Sequence, residues 1–117
     1  MRGVIPDRDL MRVRRWIDRR NAALPAGAQG LIRFEIDLTP RTITVLECRP
    51  PWSDDMGPEW TRDPICRFRY TKVRGEWSLY WSDSNLRFRE YDLAEATPSI
   101  EQLIAEVERD PTFIFWG

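Results

Sequence analysis

Arginines and tyrosines recur on one side of the alternating stretches within the segment from Arg67 to Tyr91, and this two-faced pattern is the strongest chemical signal in the chain. Counting in twos along strands gathers Arg67, Arg69, Ser78, Tyr80, Arg87, Arg89 and Tyr91 on one face and Phe68, Tyr70, Trp77, Leu79, Trp81, Leu86 and Phe88 on the other. Arginine presents forked donors to phosphate and carboxylate, and tyrosine rings stack on unpaired bases, so Arg67, Arg69, Tyr80, Arg87, Arg89 and Tyr91 form the candidate binding face. A second set lies around a proline-rich stretch: Glu47, Arg49, Trp52 and Trp60 are the loop-associated candidates.

Catalytic chemistry has little to work with. The chain has no histidine, so a general base at neutral pH would have to be a carboxylate with a raised pKa, among Glu47, Asp54, Asp55, Glu59 and Asp63. A nucleophile would have to be Cys48 or Cys66 without an imidazole partner. Two cysteines supply half of a tetrahedral zinc shell, so neither a metal nor a cofactor is expected. Cys48 and Cys66 flank the proline-rich stretch and can come near each other where its flanking strands meet, but the two thiols read as small buried side chains of a reducing compartment rather than as a disulfide.

Of the 18 basic residues all but Lys72 are arginine, a composition bias that weakens arginine abundance as a sign of phosphate binding. Net charge is −1, but the ends differ in sign. Residues 1–24 hold seven arginines against three aspartates, and residues 90–110 hold seven acids against Arg109. The two ends can attract one another within the fold or face different partners.

The elements that must position these residues follow from periodicity. Asp7 to Leu24 reads as a helix with Leu10, Val13, Ile17 and Leu24 on one stripe, Asp7 at its N-cap, and a basic face of Arg8, Arg12, Arg15 and Arg19. Leu31–Leu38 alternates as a half-buried strand, a turn follows at Thr39-Pro40, and Arg41–Arg49 is the next strand. Pro50 to Pro64, with four prolines and two tryptophans, is a long loop. Ile65–Val73, Glu76–Asp83 and Leu86–Tyr91 form a meander with two-residue turns at Arg74-Gly75 and Ser84-Asn85. A helix from about Pro98 to Arg109 carries Ile100, Leu103, Ile104 and Val107 on one face. The terminus Phe113-Ile114-Phe115-Trp116-Gly117 is apolar and is expected to pack onto the core.

The fold expected is α+β: an N-terminal helix, a five-stranded antiparallel meander and a C-terminal helix packed on the sheet's aromatic face. At 117 residues the chain fits one domain, 1–117. With 42% hydrophobic and 32% charged residues it reads as globular. No apolar run approaches a membrane span, and the N-terminus lacks the pattern of a signal peptide, so a cytoplasmic location without membrane contact is expected.

Several stretches together resemble a bacterial family catalogued as domain of unknown function 3024. They are Glu47-Cys48-Arg49-Pro50-Pro51-Trp52, Arg67-Phe68-Arg69-Tyr70, Trp77-Ser78-Leu79-Tyr80-Trp81 followed by Asp83, Asn85 and Tyr91, and Asp110-Pro111 running to Phe115-Trp116-Gly117. Phe88-Arg89 departs from the Trp-His of the family pattern, so any chemistry of that histidine is absent from this chain. The resemblance implies bacterial origin and a small stand-alone domain, and brings no activity with it.

Three functions follow in order of expectation. The first is a protein-interaction or assembly module, including self-association, in which the tryptophan-bearing loop or apolar C-terminus meets another chain. The second is single-stranded nucleic-acid or anion binding on the Arg/Tyr face. The third, a carboxylate-based enzyme, has the least support.

Overall fold

The structure, a computed structural model, describes residues 4–53, 55 and 57–117. Asp54, one of the candidate carboxylates, lies outside them. The chain folds as helix α1 (Asp7–Ala22), strands β1 (Arg33–Leu38), β2 (Thr42–Arg49), β3 (Thr61–Thr71), β4 (Glu76–Ser82) and β5 (Phe88–Glu90), and helix α2 (Ile100–Arg109). The strands form one antiparallel meander in sequence order, so the α+β arrangement is the one expected.

α1 begins at Asp7 rather than after it. Pro6 occupies the cap, where its missing N–H is no loss, and Asp7 becomes the first helical residue. The apolar stripe then buries Val13, Trp16 and Ile17, and α2 buries Ile100, Leu103 and Val107. Both helices lie on one side of the sheet, over Ile43, Val45, Cys66, Phe68, Trp77 and Leu79. Trp77 and Phe68 are fully buried, each contributing about 2–3 kcal/mol of apolar burial. A buried polar contact in this layer is Asp9, whose carboxylate accepts the Trp77 indole N–H at 3.0 Å.

Ion pairs Arg12–Glu101 (2.9 Å) and Arg20–Glu108 (2.8 Å) advance together along both helices, which therefore run parallel. They join the basic N-terminal and acidic C-terminal segments within the fold.

The apolar terminus packs inward as expected. Asp110 adopts a left-handed conformation (φ +42°), and its buried carboxylate accepts the N–H groups of Phe115 (3.1 Å) and Trp116 (2.8 Å). Trp116 then donates to the Val107 carbonyl and lies edge-on to Trp16 and Phe34. The Arg20 guanidinium sits 3.5 Å over its ring.

Three expectations need correction. First, the loop after β2 is shorter than 50–64, because Thr61 to Pro64 belong to β3, paired with Arg49 to Leu46. Pro64 is tolerated within a strand because the register shifts between Val45 and Leu46, a bulge that relieves the missing N–H. Second, Cys48 and Cys66 do not approach across that hairpin. Their partners are Arg62 and Val45 respectively, on opposite faces of the sheet, and both are free thiols.

Third, β5 is out of phase with the expected strand Leu86–Tyr91. A two-residue turn at Ser84-Asn85 would set Ser82 opposite Arg87, whereas Ser82 pairs with Phe88. The connection is a three-residue loop. Leu86 takes φ +61°, its N–H bonds the Asp83 carbonyl (2.9 Å), and the Asp83 N–H bonds the Arg87 carbonyl (2.9 Å). One extra residue in the turn exchanges the faces of every side chain beyond it. Phe88 therefore joins the face of Tyr80, and Arg89 that of Trp81.

Candidate functional site

Both helices occupy one side of the sheet, leaving the opposite side of β2, β3 and β4 without a helical cover. Cross-strand register aligns Asp37, Thr44, Arg67, Tyr80 and Glu90 in one row across this outer face, with Thr42, Arg69 and Ser78 in the next. Across these rows lies a depression of about 330 Å³, lined by Arg41, Thr42, Arg67, Arg69, Tyr80 and Phe88.

Arg67 is the fixed centre of this cleft. Its Nε donates to Thr44 Oγ1 at 2.8 Å, and its guanidinium lies 3.7 Å over the Phe88 ring. Thr44 is itself buried and Phe88 half-buried, so the contacts hold the guanidinium plane in one orientation. Burial draws the Arg67 pKa below the ordinary arginine value, with Asp37 pulling it back. The group remains a cation at neutral pH, but one with fewer waters to give up on meeting an anion.

Arg41 and Arg69 stand exposed on either side of Thr42, Arg69 from β3 directly opposite it and Arg41 from the turn before it. Among the described residues none of Arg41, Arg67 and Arg69 forms a salt bridge. The neighbouring acids are otherwise engaged: Asp37 and Glu35 both bind Arg62, and Glu35 also binds Arg33. One end of the outer face is thus a neutralised ion-pair network over Leu46 and Cys48, and the other is a cationic cleft with two rings. Glu90, at the β5 edge beside Tyr80, is the acid on that row without an ion pair among the described residues. It bounds the cleft on the β5 side.

Of the expected binding residues, Arg67, Arg69 and Tyr80 meet in the cleft. Arg87 is exposed in the β4–β5 loop, apart from it. Arg89 is paired with Asp83 at 2.6 Å. Tyr91 is buried: its hydroxyl donates to Glu106 Oε2 at 2.6 Å, and its ring packs on Phe115. Burial and the Glu106 carboxylate both push its pKa up. The phase of the β4–β5 hairpin accounts for all three departures.

Asp83 organises that hairpin. One carboxylate oxygen accepts the N–H groups of Asn85 (2.9 Å) and Arg87 (3.0 Å), and the other accepts Arg89 Nε. Those bonds hold its pKa below the ordinary carboxylate value. An aspartate at the first position of a turn is the sequence signal that would have favoured the longer loop and delivered Phe88 to the site.

The loop-associated candidates lie elsewhere. Glu47 and Arg49 pair with each other at 3.2 Å, Trp60 carries the Arg33 guanidinium 4.1 Å over its ring, and Trp52 is 85% exposed. Glu47 and Arg49 sit three and five residues along β2 from Thr44, about 10 and 17 Å away. Cys66, sealed in the core, has its pKa pushed up by burial, as has Cys48, so neither is a ready thiolate. Among the described residues no three His, Cys, Asp or Glu side chains gather as a metal site, and no helix is long and apolar enough to cross a membrane.

Residues 4–117 match the family model described as Domain of unknown function (DUF3024), and the chain belongs to that family. No curated protein and no solved structure matches it.

Proposed function

We propose that this DUF3024 domain is a binding module whose outer sheet face holds a phosphate-bearing ligand, with single-stranded nucleic acid as the class that suits both halves of the cleft. The observation that carries the reading is the convergence of Arg41, Arg67 and Arg69, none salt-bridged among the described residues, with Tyr80 and Phe88 around one depression.

Arg67 is preorganised by Thr44 and Phe88, so little side-chain freedom is lost when its outward N–H groups take a phosphate. Arg41 and Arg69 add mobile charge on either side. The Tyr80 ring offers a stacking surface to an unpaired base, which is worth about 1–3 kcal/mol per base and does not depend on base identity. A duplex hides those base faces, so single strands are preferred. A reducing, cytoplasmic setting belongs to this reading, in keeping with two unpaired thiols on opposite faces.

The test is fluorescence anisotropy with labelled ten-nucleotide strands across a salt series. Three phosphate contacts predict that log K falls with log salt with a slope of about −2. Replacing Arg67 and Arg69 together by alanine is expected to weaken binding at least tenfold at low salt. Wild-type affinity in that variant, or a slope near zero, overturns the proposal.

A further inference from the structure

We infer that the groove between α1 and α2 is a docking surface for a short acidic peptide segment bearing bulky apolar side chains. It lies on the opposite side of the sheet from the arginine cleft and does not depend on it.

Two depressions of about 290 and 510 Å³ follow one another between the parallel helices and share Arg19 and Ile104. The floor is apolar: Ile104 and Ala105 at one end, and Trp16, Leu24 and Phe34 at the other. The rim is cationic. Glu101 and Glu108, the carboxylates of the α2 wall, are already bound by Arg12 and Arg20. Arg15 and Arg19 on the α1 wall are exposed and form no salt bridge among the described residues. Arg19 reaches Glu108 only as a longer-range charge.

Complementarity follows from this arrangement. Acids on the partner meet Arg15 and Arg19, while an apolar side chain between them enters the larger depression beside Leu24 and Phe34. From Arg12 to Ala22 the helix rises about 15 Å, the span of four or five extended residues, and the groove continues to Leu24. An anionic bilayer suits the groove less well, because the floor is recessed between two helices and Glu101 and Glu108 stand on its rim. Nucleic acid can set phosphates against Arg15 and Arg19 but has no aliphatic side chain to fill the recessed floor.

The experiment pans a random heptapeptide display library against the full chain, then measures the enriched peptides by titration against three variants. Arg15→Glu with Arg19→Glu reverses the rim charge. Ala105→Trp fills the groove from an exposed helical position without changing charge. Arg67→Ala with Arg69→Ala alters only the sheet face. Thermal unfolding verifies that each variant is folded. The expected peptides carry at least two acids around Leu, Phe or Trp, lose at least tenfold in affinity for both groove variants, and bind the sheet-face variant as they do wild type. No enrichment, peptides without acids, or unchanged affinity for the groove variants overturns the inference. So does displacement of the peptides by phosphatidylglycerol vesicles that bind wild type but not the charge-reversed variant, which would assign the rim to lipid.

Discussion

Replacing Asn21 by alanine should open the exposed edge of the sheet. β1 is an edge strand, and the Asn21 side chain closes it from α1: Nδ2 donates to the Phe34 carbonyl at 2.9 Å, and Oδ1 accepts the Phe34 N–H at 2.8 Å. The amide thereby satisfies the two backbone groups that another strand would otherwise seek. Two neutral hydrogen bonds, each worth about 0.5–1.5 kcal/mol net, give a loss of about 2 kcal/mol in Asn21→Ala. With Phe34 only 8% exposed, water replaces them poorly. At about 2.1 cal/mol/K per residue the unfolding entropy of this chain is about 0.25 kcal/mol/K, so the midpoint should fall by about 8 °C in calorimetry. Asn21→Asp sharpens the test. At neutral pH its carboxylate keeps the N–H but opposes the Phe34 carbonyl, which raises the folded-state pKa above the unfolded value. The sign follows: this variant recovers stability relative to wild type as pH falls and the carboxyl gains a proton to donate. A midpoint change below about 2 °C in Asn21→Ala, or no acid recovery in Asn21→Asp, would refute the edge-closing role.

Asp110→Ala should cost about 2–3 kcal/mol in urea unfolding, since two N–H groups lose a charged acceptor, and Trp116 emission should shift to the red as the terminus detaches; an unshifted spectrum would contradict this. Leu86→Gly should stabilise by about 0.5–1 kcal/mol, as relief of a strained left-handed residue outweighs glycine's unfolded-state entropy. Leu86→Pro, which cannot adopt that φ and lacks the N–H bonded to Asp83, should instead unravel the hairpin, seen as loss of the Arg67–Phe88 contact by NMR. For Glu108, burial alone would raise the pKa, but hydrogen bonds from Trp16 and Arg20 outweigh it and leave the folded value below the ordinary 4.5. Its contribution is complete above that value and is lost as pH falls through the depressed folded pKa, so Glu108→Gln should flatten the decline in stability below about pH 5; an unchanged slope would remove the ion pair from the account.

The hairpins explain how much of this arrangement was legible in the sequence. For β1–β2 the expected turn sets Leu38 opposite Arg41, whereas Leu38 pairs with Ile43; for β3–β4 it sets Val73 opposite Glu76, whereas Thr71 does. Both differ by two residues, and a strand repeats its faces every two, so Phe34, Phe68, Trp77 and Leu79 still point into the core. The β4–β5 turn differs by one, which sent Tyr91 inward and Phe88 outward. Single-residue turn geometry depends on whether a side chain such as Asp83 can hold the loop, and periodicity carries no trace of it. Pro64 concealed four residues of β3 because a proline reads as a break unless a bulge lies opposite it. Arg41 was overlooked because, as the first residue of the expected strand Arg41–Arg49, it falls by period two on the side of Ile43; its carbonyl accepts the Tyr70 N–H at 2.8 Å, which brings it next to Arg69. The apolar stripes of α1 and α2 and the inward-packing terminus were legible, since amphipathic patterning has no other outcome in a small domain.

The central claim is tested most directly by NMR titration of the labelled protein with an unlabelled single strand of ten nucleotides. The account predicts saturable shifts at the guanidinium groups of Arg41, Arg67 and Arg69 and at the rings of Tyr80 and Phe88, with Arg33, Arg62 and Glu35 at the neutralised end unmoved. Shifts spread over all exposed arginines, or confined to the α1 face, would contradict it.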